Sequence, residues 1–307
     1  MKCKLLIIIF FLSFCLFSCK KNENEITENL KFPYDLCEYD GGILISNFGG
    51  DTLNYFNINP TGFISCFKNG KNNILIPDGN GLYSPKGLAV KDNFLFVADI
   101  GKILVFNLKD KNKKIDEIIF PQNDSLVNDL LVMGSTLFIS VTNSNKLYLL
   151  NIDKPEKIDH TSLLEYFQPV CPTFLKSEDY YLFIASDSYE KPVTDDNIIQ
   201  IIDNLNYPSL RPIIFENGKY NGLELSPSKT RLLFLNQQKA GYLGNLVFEN
   251  GNYNYEQITN ENSLLNSLLL INNKLYISDL QNSKIYIKTV AEFDNFPTVL
   301  KSDNNKD

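Results

Sequence analysis

A five-residue apolar phrase recurs through this chain at near-regular intervals, and it restricts the fold more than any other feature. "LFVAD" at residues 95–99 has counterparts in "ILISN" (43–47), "LFISV" (137–141), "LFIAS" (182–186), "LLFLN" (232–236) and "LYISD" (275–279). With Ser46 as reference, the matching small or apolar residues are Ala98, Ser140, Ala185, Leu235 and Ser278, at gaps of 52, 42, 45, 50 and 43 residues. A shorter apolar segment precedes each copy: "DLCEY", "GLAVK", "DLLVM", "TFLKS", "GLELS" and "LLLIN". Polar turns such as "VKDN", "LSPSKT" and "INNK" join the two. A third alternating segment follows: "TLNYFNI" (52–58), "KILVFNL", "KLYLLNI", "IIQIID", "NLVFEN" or "KIYIKTV". Period-two alternation rich in Ile, Leu, Phe and Tyr predicts strands. The one helical candidate lies around "TSLLEYF" (161–167).

Six sets of short antiparallel strands, one every forty to fifty residues, predict an all-β, six-bladed β-propeller. Its four-stranded blades would surround a central channel. A single domain is expected over residues 32–302, with 303–307 a disordered tail. After "LYISD" too little chain remains for a seventh copy. The last blade is completed either by "FPTVL" (296–300) or by residues near 26–32, and the sequence leaves both open.

The N-terminal residues read as an export signal. "MKCK" is a short basic start, "LLIIIFFLSFCLF" is apolar but short for a membrane span, and "LFSC" ends at Cys19. "Leu-Phe-Ser-Cys" resembles the lipobox of bacterial lipoproteins, which implies cleavage after residue 18 and lipidation of Cys19. The expected location is the bacterial cell envelope, anchored in the outer membrane and facing the periplasm or the surface. Residues 19–31, with the polar "KKNENEITENLK", read as a flexible tether.

The full chain carries 29 Lys and Arg against 36 Asp and Glu, a formal charge of −7. Cleavage would remove Lys2 and Lys4 and make it more negative. The only arginines are Arg211 and Arg231, and no basic run follows the signal. Phosphate binding needs a positive footprint, so nucleic acid is excluded as a partner. Cys37, Cys66 and Cys171 have no metal-ligand spacing and read as core thiols.

Chemistry, if present, should sit where the inner strands begin, since those starts converge on one end of the channel. The positions there are Tyr34–Asp35, Lys86–Gly87, Asn128–Asp129, Pro172–Thr173, Asn221–Gly222 and Asn266–Ser267. Asn, Asp and Gly before a strand can simply build a turn. Alternatively Asp35, Asn128, Asp129, Asn221 and Asn266 could offer oxygens to Ca2+ or another divalent cation, which takes six to eight such ligands. Second-strand ends return to the same face, so Asn47, Asp99, Asn143, Asp187, Asn236 and Asp279 join Tyr34 of the inner-strand starts in a candidate ligand-binding rim.

The form "PKGLAVKDNFLFVAD" (85–99) resembles the NHL and SMP-30/gluconolactonase group of six-bladed propellers. "NGLELSPSKTRLLFLN" (221–236) and "NDLLVMGSTLFISV" (128–141) are similar to that group and to paraoxonase-like lactonases. The resemblance covers roughly residues 33–290. It implies a divalent metal held by a first-blade Glu and by Asn or Asp at inner-strand starts, where it would polarise a lactone carbonyl and activate water. Asn128 and Asn221 match two such ligands. The first-blade acid position holds Tyr34, and Cys171–Pro172–Thr173 interrupts the ring of ligands.

Other chemistry lacks parts. The only histidine, His160, falls in a blade connection, so His dyads and Ser-His-Asp triads are excluded. Cys171 has no histidine placed to activate it. Glu190, Asp195 and Asp196 read as loop acids on the rim face. The leading expectation is therefore a lipid-anchored envelope propeller, non-catalytic, whose polar rim binds a small polar ligand or another envelope protein. The alternative is a metal-dependent lactone or ester hydrolase.

Overall fold

The computed structural model describes residues 24–187, 198–203, 208–214, 218–260 and 262–289. These residues form six four-stranded antiparallel sheets, each made of strands consecutive in sequence except the last. The inner strands are Pro33–Tyr39, Leu88–Lys91, Val127–Met133, Pro172–Glu178, Tyr220–Leu225 and Leu265–Ile271, which number blades 1 to 6. The recurring apolar phrases are the second strands, from Gly42–Asn47 in blade 1 to Lys274–Asp279 in blade 6. Buried apolar side chains fill the interface between each pair of neighbouring blades. Leu44, Leu88, Leu95 and Phe106 do so between blades 1 and 2, and Phe138, Leu147, Leu182 and Ile202 between blades 3 and 4. Each fully buried Leu, Ile or Phe contributes about 1.5–3 kcal/mol, so these layers carry most of the cohesion.

The ring is closed by the N-terminal residues. Glu25–Ile26 pairs antiparallel with Tyr286 and Ile285 and supplies the outermost strand of blade 6. Ile26 is buried among Leu36, Ile43, Ile45 and Ile285. Farther on, Asn72 Nδ2 donates to the Glu28 carbonyl (2.8 Å) and Asn29 Nδ2 to the Asn72 carbonyl (2.6 Å). The expected tether is therefore ordered from residue 24 onward. A two-residue strand with one apolar side chain has no periodicity to reveal it. The signal segment, Cys19 and "FPTVL" lie outside the described residues.

Three other local expectations are corrected. "TLNYFNI" is not the third strand of blade 1; that role belongs to Phe63–Lys68, which pairs with Gly42–Asn47. Residues 52–58 form a long loop instead, and its Leu53 and Tyr55 pack onto the core at the ring axis. "TSLLEYF" is no helix beyond a single 3-10 turn at His160–Ser162, because Leu164–Phe167 is the outer strand of blade 3. In blade 4, pairing of Leu175 with Ile184 corresponds to Leu36 with Ile45 and Leu130 with Ile139. Thr173–Phe174, not Pro172–Thr173, thus stands in line with Tyr34–Asp35 and Asn128–Asp129.

Ile26→Ala separates a ring-closing strand from a tether. A structural Ile26 predicts a loss of about 2–4 kcal/mol in urea unfolding, the usual effect of truncating a buried isoleucine. A substitution in a tether would change stability by less than about 0.5 kcal/mol.

Candidate functional site

Most of the inner-strand starts are β-bulges whose polar groups bond to neighbouring blades, with Asn221 Oδ1 the exception. In five blades the pairing of first and second strand slips by one residue at this end, as between Val127 and Leu130 or Pro33 and Leu36. Such a bulge turns backbone groups out of the ladder toward the next blade. The recurring serine of the second strand satisfies them. Ser46 Oγ accepts the Asp35 N–H (3.0 Å) and donates to the Lys86 carbonyl of blade 2 (2.6 Å). Ser140 Oγ accepts the Asp129 N–H (2.9 Å) and donates to the Thr173 carbonyl of blade 4 (2.6 Å). Ser278 Oγ accepts the Ser267 N–H (2.9 Å) and donates to the Tyr34 carbonyl of blade 1 (3.3 Å).

The buried acids do related work. Asp35 Oδ2 accepts the Leu88 N–H of blade 2 (2.8 Å), and its Oδ1 accepts from Ser267 Oγ of blade 6 (2.6 Å). Asp129 Oδ2 accepts the Leu175 N–H of blade 4 (2.7 Å). Deeper in blade 5, Glu224 Oε2 accepts the Leu270 N–H of blade 6 (3.1 Å), and its Oε1 forms an ion pair with Lys176 of blade 4. Blade 2 uses its backbone instead: the Gly87 N–H donates to the Asn128 carbonyl (2.7 Å). A Cβ at Gly87 would lie 2.5 Å from Asp129 Cα, so glycine permits this approach. Burial pushes the Asp35 carboxyl up to about 6 against the opposing effect of its hydrogen bonds. Burial, reinforced by the Asp35 charge, also raises Asp129 well above the usual range.

Tyr34 lies across the axis. Its ring stacks on Phe48 (5.1 Å between centroids) and on Phe174 of blade 4 (5.7 Å), with Tyr55 edge-on to it at 6.3 Å. The phenol donates to Asn128 Oδ1 of blade 3. Its carbonyl also accepts from Asn266 Nδ2 of blade 6 (2.8 Å). Lys86, fully buried, donates to the Tyr55 and Ser84 carbonyls and lies over the Phe48 ring; burial brings its ammonium down to about 8. This end of the axis is filled by aromatic rings.

Four of the five residues proposed around a metal have oxygens engaged by other protein groups. Asp35, Asp129 and Asn128 spend oxygens on neighbouring blades, and Asn266 Oδ1 accepts from Gln237 Nε2 (3.4 Å). Among the described residues no cluster of three or more His, Cys, Asp or Glu side chains is placed to hold a metal ion. Of the five, Asn221 keeps a buried carbonyl oxygen without a partner among the described residues.

The second-strand ends are mostly loop caps. Asn47 accepts the Lys31 N–H, Asp99 those of Tyr83 and Ser84, Asn143 that of Leu126, Asn236 that of Lys219 and Asp279 that of Leu264. Each side chain thereby fixes the segment leading into its own blade. In blade 4 this task falls to Gln200, whose Oε1 accepts the Val170 N–H (3.0 Å). Asp187 is released from it. Its Oδ2 accepts from Asn221 Nδ2 of blade 5 (3.3 Å), while Asp187 Oδ1 and Asn221 Oδ1 are buried with no hydrogen-bond partner among the described residues. Burial pushes the Asp187 carboxyl up to about 6, opposed by the Lys219 charge and the Asn221 bond. Burial and then the Asp187 charge raise the Tyr55 phenol, which connects Asp187 electrostatically to the aromatic plug. Among the described residues of the expected rim and metal set, this pair presents unpaired buried acceptors. Sequence reasoning named both residues but could not see that Gln200 frees one of them.

His160 binds Asp116 of blade 2's outer strand (3.0 Å to Oδ2) and is exposed, at the periphery of the ring. Cys171 donates its N–H to Asn145 Oδ1 (2.8 Å), and its carbonyl accepts the Asp187 N–H. Glu190, Asp195 and Asp196 lie outside the described residues.

No protein-family model and no curated protein matches the sequence. The architecture is similar to a chain of the nidogen/laminin complex (TM-score 0.60, 14% identity, covering 76% of this chain and 88% of that one). It is also similar to virginiamycin B lyase from Staphylococcus aureus (TM-score 0.58, 15% identity, 86% and 98%). A third is a putative 6-phosphogluconolactonase from Bacteroides fragilis (TM-score 0.54, 14% identity, 84% of each chain). Identities this low establish the shared propeller fold and no shared chemistry.

Asp187→Asn tests the electrostatics of the pair. A folded carboxyl near 6, against an ordinary 3.8, holds its proton more tightly than the unfolded chain does. The contribution of this carboxyl to folding stability therefore falls as pH rises from about 4 to about 6 and is level above. The variant lacks that loss. Its stability relative to the parent should rise by about 3 kcal/mol across the window in urea titrations. Parallel pH profiles for the two proteins would contradict the assignment.

Proposed function

We propose that this chain is a non-catalytic binding propeller of the bacterial cell envelope, anchored through a lipidated Cys19. It takes a small polar ligand, rich in hydrogen-bond donors, at the channel rim between blades 4 and 5. The observation that carries this reading is the pair of buried, unpaired acceptors, Asp187 Oδ1 and Asn221 Oδ1. A buried acceptor without a donor costs about 1–3 kcal/mol, and a ligand N–H or O–H supplies what is missing. Hydroxyl-rich and amine ligands have that chemistry. Tyr34, Asp35, Asn128, Asp129 and Asp279 are instead occupied in holding blades and their entry loops. The fold similarity extends to a lyase and to putative lactonases as well as to a chain of a protein–protein complex, and so does not choose among functions.

A histidine-to-alanine variant of the lyase is described as catalytically inactive. Here the only histidine is peripheral, which argues against that chemistry. A metal-dependent hydrolase of the SMP-30/gluconolactonase kind remains the second reading. It rests on the same two free oxygens, the one place where the rim could still contribute ligands.

The soluble chain from residue 22 retains every described strand. It would be titrated calorimetrically with amino sugars, polyols and primary amines, and with CaCl2. A donor ligand should bind saturably and lose at least about tenfold in affinity with Asn221→Leu and with Asp187→Ala, as the loss of a charge-assisted bond requires. Binding insensitive to both substitutions would overturn the assignment. In cells, Cys19→Ala should move the protein from the membrane to the soluble fraction; unchanged fractionation would refute the anchor.

A further inference from the structure

A concavity opens on the face of the ring opposite the rim, between blades 4 and 5. The turns Glu178–Tyr181 and Ser226–Arg231 join first to second strands, so they lie at the end away from the rim. Between them is a cleft of about 610 Å³, within the range that holds small molecules. Its construction follows from strand register. Phe183 pairs with Ile201, and Ile201 with Arg211, so these three side chains form one row across the face of blade 4. Blade 5 contributes Leu246 and Phe248 from its third strand and the turn after it. Phe183 and Phe248 stack at 5.5 Å with their planes 11° apart. Phe248 is 40% exposed although it belongs to this apolar wall.

The row ends outward in a cation. Arg211 is one of two arginines in the chain. Its Nε donates to Asp203 Oδ2 (2.7 Å), and its two terminal nitrogens have no hydrogen bond to a described residue. A guanidinium held by Nε keeps its outer edge for a planar anion, which it grips through two parallel bonds. The other cation of the cleft, Lys229, is engaged by Glu178 (2.6 Å), with Asp179 beside it. The inner lip is thus acidic or neutralised, and a ligand anion has one place to go.

We propose that this cleft binds a small amphipathic carboxylate, with an aromatic or acyl body lying against Phe183, Ile201, Leu246 and Phe248 and its carboxylate on the outer edge of Arg211. The site is independent of the rim site and lies at the other end of the same blade junction.

The test is a fluorescence titration of the chain from residue 22 with 8-anilinonaphthalene-1-sulfonate, an aromatic anion, followed by displacement with decanoate or decanol. Saturable binding is expected, with decanoate displacing the dye at concentrations about tenfold below those of decanol, the worth of one charge-assisted contact. Arg211→Met and Phe248→Ser should each weaken dye binding by about tenfold or more, and Arg211→Lys should recover only part of the loss. Circular dichroism melting checks that the variants fold, and the decanoate/decanol ratio needs no variant. Absence of saturable binding, equal displacement by acid and alcohol, or affinities in the folded variants within about twofold of the parent would each overturn the proposal.

Discussion

Tyr34 is the residue on which the closed ring depends. It leaves the inner strand of blade 1, lies between Phe48 and Phe174, and reaches Asn128 through its phenol. Its carbonyl accepts from Asn266 and Ser278 of blade 6. One residue therefore ties together four of the six blades. Its ring occupies the volume that an open channel would need, and its hydroxyl occupies an amide that a metal would need. Aromatic filling of the axis and the engagement of the Asn128 amide follow from the same side chain.

Around that axis, apolar layers supply the cohesion and polar latches fix the register. A buried carboxylate is costly, and one bonded to the next blade's N–H is a device for specificity more than for stability. Asp35, Asp129 and Glu224 place this device on blades 1, 3 and 5, and each reaches an N–H of the blade that follows. Burial raises the Asp35 and Asp129 carboxyls, the electrostatic sign of that cost. The ring is least regular at blades 4 and 5. There Phe174 stands in line with the Asp35 and Asp129 positions, Gln200 takes over a loop cap, and Asp187 is freed toward Asn221. The same junction opens below into the apolar cleft.

The architecture was legible because six copies of a strand phrase are a long-range signal that no single misread segment can erase. Ser46, Ser140 and Ser278 stood out as small residues at a fixed place, but their bonds to the next blade exist only in three dimensions. Asn128–Asp129 posed a choice between turn and ligand, and a bulge within the strand answers it in a third way. "TLNYFNI" alternates like a strand yet has no partner in blade 1, since Phe63–Lys68 pairs there. Closure by residues near 26–32 stood beside closure by "FPTVL", because a strand of two residues has no pattern; the pairing of Glu25–Ile26 with Tyr286 and Ile285 decides for the N-terminal alternative. The cleft was invisible because Phe183, Ile201, Arg211 and Phe248 are far apart in sequence and meet only through register and stacking.

The most direct test of a rim built for binding rather than turnover is a hydrolysis assay. The soluble chain would be incubated with γ- and δ-lactones and an ester in the presence of Ca2+, Mg2+, Mn2+ or Zn2+, beside an Asn128→Ala/Asn221→Ala double variant and an EDTA control. A ring whose inner-strand residues are committed to Tyr34 and to neighbouring blades predicts rates equal to those of the double variant under every metal. Metal-dependent hydrolysis that disappears in the double variant and in EDTA would contradict it and make the rim an active site.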